Sequence, residues 1–355
     1  MSRRVDLSEP DPTGRCRTLR RLFDETVRVH DERTALTFYR DGAWRITTYE
    51  ELKTGVASFA EALSSLGARP QKEPVLLLLD NSPTLLECFL ACGTSGIVAV
   101  PVEPKLWPED VAAIAECSHA CIAITSSAHL GAFALCPERA PRLKTVIVTD
   151  LLGRSGIVGL QFVPLLGLRA RFAGSHAFYD ANVPSNNDIA ALIFTTGTVD
   201  RPKSFLLTQS NFWNDSVRSP TGIQNKLSQS DHYLAIPLFN PFDFLSNIVL
   251  PIRNGARVSF ARGSSTLMED AAALHPTIVM ADPLLAERIV DRLDARLARH
   301  LLERLLMKCG LGWMVGRQVV RSMGGRLRYL VVDDAPCSVR VQETFKRLGI
   351  GIVEP

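Results

Sequence analysis

The chain has 355 residues, 46% of them hydrophobic and 22% charged, with a formal net charge of +3. That is an ordinary composition for a globular protein long enough for two lobes; the net charge argues neither for nor against nucleic acid, which is not expected as a partner. No stretch approaches the roughly 18–20 uninterrupted apolar residues of a membrane span.

Residues 1–18 are Arg-rich, punctuated by Asp and Pro, and lack the apolar core of a secretion signal; a flexible N-terminus is expected. Thr48 and Glu51 stand at capping-box spacing, ahead of a helix with Leu52, Val56, Phe59, Leu63 and Leu66 on one face. "VLLLL" (75–79) reads as a strand buried on both faces. Asn81 and Ser82 offer N-caps, and Pro83 suits the first turn of a helix to about Ser95. Strands follow at 97–102, 121–125 and 145–149, with a helix opened by Pro108, Glu109 and Asp110.

Residues 126–187 are irregular and close a first α/β subdomain over 19–187. The alternation resumes over 188–355, a second α/β subdomain. Strands are predicted at 189–195, 232–236, 256–260, 276–280, 327–332 and 350–353, and helices near 209–218, 243–252, 283–306 and 338–348. Repeated strand–helix–strand order predicts an α/β fold of two layered parallel sheets, with ligands at the carboxyl ends of the strands.

The cysteine pairs Cys88/Cys92 and Cys117/Cys121 sit four apart, which on a helix is one face, and they read as small apolar residues. His119 between the second pair is too little for a metal site, and none is expected. Reduced thiols and the absent signal point to the cytoplasm.

"TTGTVDRPKS" (195–204) follows a strand. Thr195, Thr196, Gly197 and Thr198 supply hydroxyls and a pliable backbone, and Lys203 a cation, as a phosphate-gripping loop requires. Asp200 sets a carboxylate among them.

Seven motifs in order, from about Leu19 to Glu354, resemble the adenylate-forming enzymes, and most of all the long-chain acyl-CoA synthetases. "TTYEEL" (47–52) resembles Thr-Tyr-x-Glu-Leu, and "GIVAVPVEP" (96–104) the strand Ala-Gly-x-x-x-Val-Pro. "TTGTVDRPKS" resembles the phosphate loop Thr-Ser-Gly-Thr-Thr-Gly-x-Pro-Lys-Gly. "LLTQSNF" (206–212) resembles Leu-Thr-His-x-Asn-Leu, and "AIPLFNPFDF" (235–244) the Leu-Pro-Leu-x-His segment. "GGRLRYLVVDDAPCS" (324–338) resembles Gly-Gly-x-x-Arg, a strand and Gly-Gly-Ala-Pro-Leu; "LGIGIVE" (348–354) resembles the strand before Tyr-Gly-x-Thr-Glu. The resemblance implies a domain that binds ATP and magnesium, lets a carboxylic acid attack the α-phosphate, and passes the acyl-adenylate to a thiol, often that of coenzyme A.

The departures fall on positions that serve this chemistry. Val199 replaces a threonine; Asp200 and Ser204 replace glycines. Asp200 reads either as repelling phosphate or as a magnesium ligand. Asp333 and Asp334, before Ala335 and Pro336, replace the glycines that pass beside adenine; the pair reads as a turn, as an N-cap for helix 338–348, or as a new acidic site. Asn240 and Gln209 replace histidines, the first near the family's acyl site. The chain ends at Pro355, so the family's later motifs, barrel subdomain and C-terminal lid domain are expected to be missing.

The expected protein is an acyl-CoA synthetase-like binding or regulatory module, catalytically impaired, with no catalytic residue assigned. The alternative is ATP-dependent activation of a fatty acid, alone or completed by a partner chain supplying the missing lobe. The expected ligand is an acyl chain or fatty acid.

Residues 283–321 carry an apolar stripe (Leu284, Ile289, Leu293, Leu297, Leu301, Leu305) flanked by Arg288, Arg292, Arg296, Arg299 and Arg304. Between Pro283 and Leu330, ten Lys/Arg outnumber four Asp/Glu. Two readings stay open: helices packed on the sheet with a solvated basic face, or peripheral contact with an anionic membrane.

Overall fold

A computed structural model describes residues 17–150, 156–195, 202–217, 227–235, 248–281, 283–299, 309, 312–332 and 337–353 of the chain. They fold into two compact units. The first comprises Met1–Glu32, Tyr49–Arg218 and Asn240–Arg253; the second comprises Arg33–Thr48, Ser219–Phe239 and Asn254–Pro355.

In chain order the strands are β1 (Thr34–Arg40), β2 (Ala43–Thr48), β3 (Val75–Leu78), β4 (Ala99–Pro101), β5 (Ile122–Thr125), β6 (Thr145–Val148) and β7 (Gln161–Pro164). They continue as β8 (Ile189–Thr195), β9 (Lys203–Thr208), β10 (His232–Ala235), β11 (Arg257–Phe260), β12 (Ile278–Ala281), β13 (Tyr329–Val332) and β14 (Gly351–Val353). The longer helices are α1 (Leu19–His30), α2 (Tyr49–Ser65), α3 (Pro83–Thr94), α4 (Pro108–Ser118), α5 (Gln209–Val217), α6 (Leu267–Leu274), α7 (Pro283–Arg299), α8 (Gly312–Ser322) and α9 (Val339–Leu348).

Each unit holds one seven-stranded sheet. The first unit's sheet runs β7-β6-β5-β3-β4-β8-β9, the second's β14-β13-β12-β10-β11-β1-β2. The predicted parallel sheets are present, and each also carries one antiparallel edge pair that the alternation did not reveal: β8 with β9, and β1 with β2. Strand pairing interleaves the units in sequence. β8 joins the first sheet through β4, and the β1–β2 hairpin joins the second through β11. The compact units therefore do not divide at residue 188, where the sequence placed the boundary.

The centre of the first unit's sheet is built on strands with no exposed face. Every residue of β3, β5 and β6 is buried, which is why these strands read as unbroken apolar runs. Leu76, Leu78, Val100, Val111, Phe133 and Val146 lie in one continuous core. The Ser82 hydroxyl accepts from the Leu85 amide and Pro83 occupies the first turn of α3, as predicted. α1 is tied in by Arg20, which is buried. Its Nε donates to Asp24 at 2.5 Å, an Nη donates to the Tyr179 carbonyl at 2.6 Å, and the guanidinium lies 3.4 Å from the Tyr179 ring centroid. A guanidinium with its hydrogen bonds and a π face all engaged is tolerated at this depth.

Two expectations are corrected. α4 stops at Ser118 with His119 in the left-handed region, so Cys121 lies beyond the helix and shares no helical face with Cys117. In α7 the inward residues are Leu285, Ala286, Val290 and Leu293; Leu284, assigned to the apolar stripe, is 60% exposed. Leu297, Leu301 and Leu305 lie outside the residues whose side chains are described.

Candidate functional site

The candidate loop is framed by β8 and β9. Their antiparallel register runs from Ile189 opposite Thr208 to Thr195 opposite Lys203. The residue that ends one strand and the cation that opens the next are thus held face to face, at the carboxyl end of β8. Lys203 and Ser204 are exposed. Thr196, Gly197, Thr198, Val199 and Asp200 lie outside the described residues, as do Asn240, Asp333, Asp334, Ala335 and Pro336.

Downstream of β9 the resembling motif is structural. Thr208 and Asn211 cap α5 reciprocally: Asn211 Oδ1 accepts from the Thr208 amide at 2.8 Å, and Thr208 Oγ1 accepts from the Asn211 amide at 3.3 Å. Gln209, in the place of a histidine, is fully buried. Its Oε1 accepts from the Leu19 amide at 3.0 Å and its Nε2 donates to the Gly93 carbonyl at 2.7 Å. One side-chain amide thereby satisfies an orphan donor at the start of α1 and an orphan acceptor near the end of α3. Gln209→Ala is expected to cost about 2–3 kcal/mol, because both backbone groups stay buried without their partner. Urea unfolding checks it, and Gln209→Glu separates the two bonds, since a carboxylate keeps the acceptor and loses the donor.

The Gly-Gly-x-x-Arg element also has a structural role. Arg328 donates to the buried Asp231, which accepts from Thr277 Oγ1 at 2.7 Å as well. Thr277 passes the order on, accepting from the His232 amide at 2.9 Å. The chain thus pins β10, β12 and β13 at their amino ends. Beyond β13, the N-cap of α9 is Ser338, whose hydroxyl accepts from the Val341 amide; this corrects the reading that gave the cap to Asp333 and Asp334.

A family model described as AMP-binding enzyme matches residues 23–354. The chain belongs to the AMP-binding enzyme family. Among curated relatives, it is 23% identical to long-chain-fatty-acid–CoA ligase 5 of Rattus norvegicus over 94% of this chain and 53% of the relative. It is 24% identical to long chain acyl-CoA synthetase 4 of Arabidopsis thaliana over 87% of this chain and 50% of the relative. The chain therefore spans about half the length of the curated relatives it matches.

Among solved structures, it superposes on the N-terminal domain of FACL13 from Mycobacterium tuberculosis with a TM-score of 0.71 at 14% identity, covering 95% of this chain and 75% of that one. It superposes on the anthranilate CoA ligase AuaEII, solved with anthranoyl-AMP, with a TM-score of 0.70 at 18% identity, covering 94% and 58%. These likenesses show the shared AMP-binding enzyme fold. Among the described residues, no helix is long and apolar enough to cross a membrane.

Proposed function

We propose that the chain is an acyl-CoA synthetase-like member of the AMP-binding family in which adenylate formation is impaired, and that it acts as a binding module. The observation that carries this reading is Asp200, placed by sequence between Thr195 and Lys203, which the β8–β9 register holds opposite each other. A carboxylate about 4 Å from a phosphate oxygen opposes it by roughly 1 kcal/mol in water and several times that in a partly dry site. Ser204 replaces a further loop glycine, and Asp333 and Asp334 add two negative charges where the family has glycines. Gln209 has exchanged a titratable ring for a structural amide. The loop keeps phosphate donors in Thr195 and Lys203; it is the Asp200 carboxylate, with Ser204 in place of a glycine, that fits a nucleotide polyphosphate poorly.

Thr195 and Lys203 are retained, and they favour the second reading: ATP-dependent activation of a fatty acid, alone or completed by a partner chain. Calorimetric titration with Mg-ATP decides between the two. The wild-type chain is expected to give no saturable heat at millimolar ATP. Asp200→Gly is expected to raise affinity at least tenfold, and Lys203→Ala in that background to remove the gain. Micromolar binding by the wild-type chain, abolished by Lys203→Ala, would establish the second reading. Pyrophosphate release with fatty acids would then be assayed.

A further inference from the structure

We propose that the second unit holds a separate site for an anionic single-chain amphiphile, with the chain in a cavity among α6, α7, α8 and α9 and the head on Arg288 and Arg292. The cavity has a volume of about 280 Å³. Its walls are apolar, with Met268 from α6, Leu285, Ile289 and Leu293 from α7, Val319 from α8 and Phe345 from α9. Of its polar lining groups, Arg288, Arg292, Ser265 and Ser322 are exposed and Ser264 is half-buried. Among the described residues, no acidic side chain lines it. An apolar slot with a few convergent polar groups is the usual form of a small-molecule site.

The charge pattern of α7 selects the ligand's sign. Its acids, Glu287, Asp291 and Asp294, face α9 and are gathered by one guanidinium, Arg340, with contacts of 3.7, 2.9 and 2.6 Å. Neighbouring arginines are engaged too: Arg262 with Asp270 at 2.6 Å, and Arg317 over the Trp313 ring at 4.7 Å. Arg288 and Arg292 differ. They stand one turn apart on the exposed side of α7 and have no hydrogen bond, ion pair or ring contact among the described residues. Two guanidiniums with no counter-charge among the described residues, beside an apolar slot whose described neighbouring carboxylates are already paired, complement a ligand with an anionic head and an apolar chain. The site lies wholly within the second unit and is independent of the β8–β9 loop of the first, so it does not rest on the nucleotide reading.

The test is calorimetric titration of the full chain with dodecyl phosphate below its micelle concentration, beside dodecanol and inorganic phosphate. Saturable one-to-one binding of dodecyl phosphate is expected, at least tenfold tighter than either control. The Arg288→Gln/Arg292→Gln variant is expected to weaken it at least tenfold with an unchanged urea midpoint, since these side chains are exposed and have no partner among the described residues. Val319→Phe, which narrows the slot, is expected to weaken dodecyl phosphate and leave inorganic phosphate unaffected. Any of three results would overturn the proposal: no binding at millimolar dodecyl phosphate, equal binding of inorganic phosphate, or dodecanol binding as tightly as the phosphate ester. Co-sedimentation with phosphatidylglycerol vesicles distinguishes a bilayer from a free amphiphile. Arginine-dependent binding to vesicles alone would replace the cavity site with a membrane surface.

Discussion

Gly316→Ala is expected to destabilise the second unit by more than about 3 kcal/mol, at the upper end of what overpacking usually costs. Gly316 is buried in α8, where α8 crosses the end of α9. A methyl group built there would lie 1.8 Å from the Leu348 carbonyl oxygen, 2.7 Å from its carbon and 2.9 Å from its Cα. All three atoms are backbone, so no rotamer change relieves the contact. Leu348 is also the last residue of α9, fixed by the left-handed Gly349 cap that donates to the Lys346 and Phe345 carbonyls. The helices would have to separate, opening the Val319 and Phe345 walls of the cavity. The sign of the effect is diagnostic. In a helix without this contact, Ala in place of Gly stabilises by about 1 kcal/mol. The measurement is the urea midpoint of Gly316→Ala against Gln318→Ala, an exposed position on the same helix. A raised midpoint for Gly316→Ala would show that α8 and α9 do not approach as closely as described.

What the sequence disclosed follows from where each strand sits. β3, β5, β6 and β12 are buried along their length, and their residues formed apolar runs that could be read without neighbours; β10 is equally buried, though His232 opens it. The strands left unread are edge strands or adjoin one. β9 is largely solvent-facing although it holds the apolar Phe205–Leu207, and β2 and β7 are half so, which leaves none of them the signature of a covered strand. A signal for the first hairpin was nonetheless present. Asp41-Gly42 are the two central residues of its turn, both with positive φ, and Asp-Gly is a strong two-residue hairpin signature. α1 was left unread as well, although Leu19, Leu22, Phe23, Thr26 and Val27, buried behind the Thr18 cap, stand at helical spacing. The site divides differently. Strand pairing bears on Thr195 and Lys203, whereas Asp200, Asn240, Asp333 and Asp334 lie outside the described residues. The structural duties of Gln209 and Arg328 depend on partners 190 and 97 residues away, a separation that no local pattern encodes.

The second large effect is a loss of stability on mild acidification, arising from His232. This residue opens β10 and is 5% exposed, with Nε2 2.5 Å from Ser259 Oγ of β11. Burial is the main cause that pushes the ring's pKa down from 6.5 to about 3; the charges of Arg257 and Arg326, and His275, act in the same direction, while a backbone contact at Leu274 opposes them. The folded chain therefore keeps this ring neutral at pH values where the unfolded chain protonates it. Stability rises with pH wherever the unfolded state binds more protons. The contribution is thus complete above about pH 6.5 and is lost progressively as pH falls toward 3, by up to roughly 1.4 kcal/mol per pH unit and on the order of 4 kcal/mol in all. Carboxylates titrate in the lower part of that range, so the informative window is pH 7.5 to 5, where a loss of about 2 kcal/mol is expected. His232→Gln supplies a side-chain amide that can still reach Ser259 but takes up no proton. Urea midpoints measured across this window should slope for the wild-type chain and be nearly flat for the variant. Parallel slopes would mean that another group governs the acid response and that the His232 ring reaches solvent in the folded protein.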